Sequence, residues 1–404
     1  MWRINETTFR FRVSNDQFVG LDGIKGTKVV ATIVNPDHSA TFEIIKESEN
    51  STRVRIKASN GFFLQAKSEK LVTADVSNLR SWKDNDPTVF NLTIVSQLDG
   101  DFQLQNGYGH KAFQVMKEHY DTFITEKDFK FIVENGINAV RIPVGWWAAK
   151  DPNPPFPFVS GTLQALDNAF SWAKKYGLKV ILDLHSAPGS QNGVAHSTSR
   201  DGSLLWGKTN KTIQQTLEVI DFYAARYTKH KSLYAIELLN EPLDPYVHLD
   251  TLTSYYKAGY EVVRKYSSTV YVILSTRLRF TEELFPLANS LGNNVVIDIH
   301  WYHLYYDIFT NMTTAKQHID YIKNDRNQQM TQLLEKSGKA LLYIGEWSAE
   351  WDVKNGTKEE YLEFAQAQID VYDRATFGWS MWTYKCAVKH RSLKWMIQNG
   401  YIQL

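Results

Sequence analysis

Between residues 120 and 382, amphipathic helical stretches and short apolar strands take turns, and few folds accept a chain that runs through seven such strands. Six of the seven follow a helix of period 3.6, as parallel strands covered on both faces require. Thr125, with Asp128 three residues on, opens a helix that Gly136 closes, and a strand over 137–142 follows. Helices over 163–176, 211–229 and 249–266 lead into strands at 178–184, 234–239 and 270–274. A strand over 295–299 comes next, and helices over 317–336 and 358–374 lead into strands at 340–344 and 378–382. The pattern predicts an α/β fold, a (β/α)8 TIM barrel, and such a barrel closes on eight strands. Because the series begins with a helix, the uncounted strand is expected to be the first and to lie outside these 404 residues.

Residues 1–107 read differently. Short alternating runs at 9–13, 28–34, 40–45, 52–57, 62–65 and 88–95 carry the period of two that marks strands. Phe11-Arg-Val, Gln17-Phe-Val-Gly-Leu, Val29-Val-Ala and Ala40-Thr-Phe-Glu-Ile-Ile recur as Val54-Arg-Ile, Phe62-Phe-Leu, Leu71-Val-Thr-Ala and Thr88-Val-Phe-Asn-Leu-Thr-Ile, two units of about 43 residues. These units resemble the fascin-like β-trefoil repeat, of which a whole trefoil needs three. Only Trp2-Arg-Ile-Asn5, similar to the end of a unit, stands for another. The expected organisation is a partial fascin-like β-trefoil over 1–107 and the barrel over 108–404.

A formal charge of +1 with scattered basic residues argues for a neutral substrate and predicts neither nucleic-acid nor membrane binding. A monomer is expected. Twelve Trp in a chain that is 13% aromatic supply stacking surfaces as well as core. The single Cys386 forbids an internal disulfide and no Cys/His set has zinc spacing, so neither metal nor cofactor is expected. Sequons at Asn5, Asn50, Asn91, Asn210, Asn311 and Asn355 lean towards an extracellular or cell-wall address, although residues 1–30 hold no signal peptide.

Polar and aromatic residues collect where barrel strands end, the place active groups occupy in such folds. Arg141 and Pro143 end one strand, His185 another, and Asn240-Glu241-Pro242, His300 with Tyr302, Gly345-Glu346-Trp347 and Trp382 end others. Glu241 and Glu346 are 105 residues apart in sequence, yet a barrel brings both to one cleft. Two carboxyls, one ionised and one holding a proton through a raised pKa, are what cleavage of a glycosidic bond requires.

The segments Val140-Arg-Ile-Pro-Val144, Asp183-Leu-His185, Leu238-Leu-Asn-Glu-Pro242, Asp298-Ile-His-Trp-Tyr302, Tyr343-Ile-Gly-Glu-Trp347 and Gly378-Trp-Ser-Met-Trp382 resemble, in order and spacing, those of family 5 glycoside hydrolases. Ser186-Ala-Pro-Gly-Ser-Gln-Asn-Gly193 and Phe123-Ile-Thr-Glu-Lys-Asp-Phe129 are similar to its exo-β-1,3-glucanase branch, whose plant members carry a fascin-like insert. The resemblance implies a retaining β-glucosidase or exo-β-1,3-glucanase acting on β-glucans or β-glucosides by double displacement, with glucosyl transfer as a second outcome. It implies Glu241 as acid/base, Glu346 as nucleophile, and Arg141 orienting Glu346. Asn240 would contact the sugar 2-OH, His185 and His300 would line the subsite, Tyr302 would reach the nucleophile, and Trp382 would lie under the sugar. The chain departs from the pattern in lacking the first-strand motif and its acidic sugar contact, and in carrying Val194 where yeast relatives have an aromatic; Tyr305 is the candidate for the opposite wall. A carbohydrate-binding protein without catalysis, a truncated homologue, is the alternative reading.

Overall fold

The computed structural model describes residues 1–13, 17–23, 26–48, 51–79, 82–83, 85–92 and 99–404. Two compact units make up the chain, Met1–Glu118 with Pro155–Val159, and His119–Pro154 with Ser160–Leu404.

The first unit is antiparallel. Its strands are β1 (Trp2–Arg3), β2 (Thr8–Arg10), β3 (Phe18–Leu21), β4 (Val29–Ile33), β5 (Phe42–Lys46), β6 (Arg53–Ala58), β7 (Phe63–Ser68), β8 (Leu71–Val76) and β9 (Phe90–Asn91). They form a sheet ordered β1-β2-β5-β6-β7-β8 with β9 beside β6, and β3 and β4 make a separate pair. Alternate side chains enter one small core of Leu21, Phe42, Ala58, Leu64 and Ala74. Of the strand expected over 88–95, β9 is the part seen, and residues 93–95 lie outside the described residues, as does the Asn50 sequon. The strand-like reading stops short of 107, because Gly100–Tyr108 is a helix. Gln105 explains why this polar stretch is held: its side chain is buried and accepts the Val159 N–H at 2.7 Å.

The second unit contains a parallel sheet in sequence order: β10 (Ala139–Gly145), β11 (Lys179–Ser186), β12 (Leu233–Glu237), β13 (Tyr271–Ser275), β14 (Val295–His300), β15 (Leu341–Glu346) and β16 (Gly378–Trp379). Helices including Thr162–Tyr176, Asn210–Tyr227, Leu249–Arg264 and Lys358–Tyr372 connect them. One strand face packs inwards, where Ile181, Ala235, Ile273, Val296 and Tyr343 meet. The other face, with Val180, Leu182 and Val272, packs on helical residues such as Phe170, Tyr223 and Phe364. Both faces are dry, which is why β11 reads as a nearly unbroken apolar run. The fold is of the (β/α)8 barrel class.

Among the described residues, β10 pairs with β11 alone and β16 with β15 alone. A cavity of about 750 Å³ lies between these two edges, lined by Ala139, Arg141 and Pro143 on one side and Gly378 and Trp379 on the other. The strand expected over 378–382 is shorter, yet its continuation keeps following β15: Ser380 donates its N–H to Ile344 at 2.9 Å and Trp382 to Trp347 at 2.7 Å. No helix among the described residues is long and apolar enough to cross a membrane.

Candidate active site

The period of two along each strand delivers the site. On β11 it carries Ile181, Asp183 and His185 onto one face; on β12 it carries Ala235 and Glu237, and on β14 Val296, Asp298 and His300. The lower residues of these rows are apolar and fill the barrel, while the upper ones are charged and meet at its carboxyl end. Gly345 belongs to this packing, since a Cβ there would come within 2.0 Å of Asp298 Oδ1. A register shift between Ile299 and His300 then sets His300 opposite Glu346.

Arg141 stands at the centre. Its Nε and Nη2 donate to Glu237 at 2.7 and 3.0 Å, Nη1 donates to Glu346 Oε1 at 2.9 Å, and Nη2 also reaches Asn240 Oδ1 at 2.8 Å. Asp183 Oδ2 is 3.1 Å away, so one buried guanidinium neutralises several buried acids at once. Burial opposes its charge, and the carboxylates of Asp183, Glu237 and Glu346 outweigh that burial. Glu237 goes the other way, because desolvation pushes its carboxyl well above the ordinary range despite Arg141.

Glu346 is held ionised. Burial alone would raise its pKa, but the charges of His300, Arg141 and His185, with the Tyr302 hydroxyl bonded at 2.7 Å to Oε2, bring it down to about 2. His300 is buried too, yet Asp298 and Glu346 outweigh that burial and raise its pKa well above that of free imidazole. Its Nε2 lies 2.8 Å from Asp298 and its Nδ1 2.6 Å from Glu241 Oε1. Glu241 adopts a left-handed φ of 44°, a strained conformation for a side-chain-bearing residue, and its backbone N–H is taken by Ser275 Oγ at 3.2 Å. An oxygen of Glu241 and one of Glu346 lie within 4.8 Å of each other.

The structure thus brings Arg141, His185, Asn240, Glu241, His300, Tyr302 and Glu346 together. Trp382 joins them by stacking on the His185 ring, with centroids 5.1 Å apart and planes 3° from parallel. Asn240 Nδ2 is buried without a hydrogen-bond partner, while its Oδ1 accepts from Arg141. Tyr305 is exposed, meets Tyr302 edge to face, and bonds Arg391 through its hydroxyl. Two sets of ligand-type atoms, Glu237–Asp298–His300 and Glu241–His300–Glu346, are close enough to share a cation. Arg141 already supplies positive charge to both sets, which leaves little electrostatic demand for a metal.

Residues 101–387 match the family described as Cellulase (glycosyl hydrolase family 5), and residues 1–95 match a domain of unknown function, DUF7910. The chain belongs to glycoside hydrolase family 5. This family 5 chain is 34% identical over 308 residues to a probable glucan 1,3-beta-glucosidase A of Aspergillus clavatus, covering 68% of this chain and 72% of the relative. It is 31% identical over 331 residues to a glucan 1,3-beta-glucosidase of Schwanniomyces occidentalis, covering 71% and 74%. In fold it is similar to the rutinosidase from Aspergillus niger, with a TM-score of 0.64 at 20% identity, over 75% of this chain and 89% of that one. The chain is a glycoside hydrolase.

Glu237, Asp183 and Asp298 of this family 5 member join the cluster from inside apolar strands, where no rim position marks them. The available signal was an acid inside each apolar strand, in Ala235-Ile-Glu-Leu, Ile181-Leu-Asp-Leu and Val296-Ile-Asp-Ile, because an acid buried there needs a partner. His196 joins them. It lies in a loop with no periodicity to mark it, 3.4 Å from Glu241 Oε2.

Proposed function

We propose that this family 5 hydrolase is a retaining, exo-acting β-glucosidase that removes terminal glucose from β-1,3-glucan or β-glucosides. The observation that carries the mechanism is the approach of Glu241 and Glu346 oxygens to within 4.8 Å. Retaining enzymes keep their carboxyls ~5–5.5 Å apart, and inverting enzymes leave ~6.5–9.5 Å for a water between them. The substrate class is supported by the glucan 1,3-beta-glucosidase names of the relatives.

In this reading Glu346, ionised by Arg141, His300 and Tyr302, attacks the anomeric carbon while Glu241 gives its proton to the departing oxygen. Glu241 then takes a proton from water, whose oxygen displaces Glu346, and both groups return to their starting states. Asn240 Nδ2 donates to the sugar 2-OH, a bond that tightens as positive charge grows on the ring. Trp382 offers an aromatic face to the sugar beside His185. An alcohol in place of water gives glucosyl transfer. Residues 1–107 form a partial trefoil, and the protein works outside the cell or in the cell wall.

Proton NMR of the first product from laminari-oligosaccharides and cello-oligosaccharides tests the proposal. β-Glucose appearing first from the 1,3-linked series is expected. α-Glucose as the first anomer would overturn retention, and a fall in polymer viscosity ahead of glucose release would overturn exo action.

A further inference from the structure

The two oxygens of Glu241 have different neighbours. Oε1 meets His300 Nδ1 at 2.6 Å, inside the buried cluster. Oε2 meets His196 Nε2 at 3.4 Å, and the His196 side chain keeps 36% of its surface in solvent while that of His300 keeps 2%. One oxygen therefore meets a buried ring, and the other meets a ring that reaches solvent.

The loop that presents His196 is fastened to the residue it faces. Gln191 Nε2 donates to the carbonyls of His185 and Asn240, both at 2.8 Å, and Asn192 Nδ2 donates to the carbonyl of Glu241 at 3.1 Å. Leu243 returns an N–H to the Gln191 carbonyl at 3.2 Å. Within the loop the Ser197 hydroxyl donates to Val194 at 2.9 Å, and Ser190 and Thr198 hold left-handed φ values of 62° and 58°. A histidine with no task at a surface loop has no need of strained backbone or of buried amide clamps, whereas a side chain that must hold another in place does.

We propose that His196 is a positioning residue for the proton donor: its ring nitrogen, within ion-pair range of Glu241 Oε2, closes to a hydrogen bond as the proton leaves, orienting the carboxyl towards the leaving group and stabilising the carboxylate that remains. The inference rests on the assignment of Glu241 as acid/base made above. In the first step the Oε2 proton passes to the glycosidic oxygen as the bond to the anomeric carbon breaks and the Glu346 ester forms. In the second, water returns a proton to Glu241 as its oxygen bonds to that carbon and the ester breaks. His196 neither gains nor loses a proton over the cycle. Its ring faces His185, 5.2 Å away between centroids, and the Glu241 carboxylate, with Glu346 and His300 beyond. Burial and the charge of His185 outweigh the acids and lower its pKa, which keeps the ring neutral.

Two aryl β-glucosides test the role. His196→Ala is expected to lower kcat/KM for phenyl β-glucoside about tenfold to a hundredfold, the worth of one hydrogen bond to an ionised group. The same variant should leave 2,4-dinitrophenyl β-glucoside within about threefold, because that leaving group departs without a proton. His196→Gln should recover part of the loss, since its amide can donate to the same oxygen. Equal losses on both substrates, or no loss on either, would overturn the role. A second measurement needs no turnover: in Glu241→Gln the ring resonances of His196 should titrate at lower pH, and an unmoved titration would overturn the contact. If the unaltered protein cleaves neither glucoside, the proposed reaction falls, and this role falls with it.

Discussion

Tyr302 donates its phenolic hydroxyl to Oε2 of Glu346 over 2.7 Å, on the oxygen that Arg141 leaves free. A bond to the ionised form lowers a carboxyl pKa, and here it helps hold Glu346 at about 2. The folded value is depressed, so the ionised nucleophile persists as pH falls until that value is reached. Tyr302→Phe is therefore expected to move the acid limb of the kcat/KM profile to higher pH and to cut the rate about tenfold to a hundredfold. An unmoved acid limb would separate Tyr302 from the nucleophile.

Glu346→Gln is expected to lose a factor on the order of 10⁴ or more in rate, as removal of an essential nucleophile does. Azide should revive Glu346→Gly and yield α-glucosyl azide, because the small anion enters from the face the carboxylate occupied. If azide gives that α product at Glu241→Gly instead, the two roles are exchanged.

Asn240 has a buried, unpartnered Nδ2, while its Oδ1 is tied to Arg141. If that donor serves the sugar 2-OH, Asn240→Ala should lower kcat/KM by about tenfold to a hundredfold on glucosides and hardly at all on the matching 2-deoxyglucosides. Equal effects on the two substrates would sink the contact.

Arg141 is paired with Glu237, Asp183 and Glu346, all buried. Arg141→Met leaves those acids without their cation, at a cost of about 3–5 kcal/mol, the usual result of breaking a buried pair from one side. Chemical denaturation should show that loss. Arg141→Lys retains the charge but not the forked geometry, so part of the loss should remain.

The sequence made the strands of the second unit legible because both of their faces are apolar, and it made the rim legible because Arg141, His185, Glu241, His300 and Glu346 each interrupt or end such a run. What could not be read is whatever depends on contacts made at a distance. The helix Gly100–Tyr108 carries no strong apolar stripe, and its buried Gln105 is satisfied by Val159, 54 residues away. His196 likewise acquires meaning only from Gln191 and Asn192, which clamp its loop to Asn240 and Glu241. Glu237 lay in plain view, but its role as the forked partner of Arg141 needs β10 and β12 on either side of β11.

Arg141 rides on β10 and Trp382 follows β16, the two strands of the parallel sheet that, among the described residues, hold a neighbour on one side only. The cation that neutralises the buried acids is thus mounted on a strand with one neighbour among the described residues. When 139–145 frays, Asp183, Glu237 and Glu346 lose their common counter-charge in a single event. The ionisation of the nucleophile is in this way tied to the seating of a single strand.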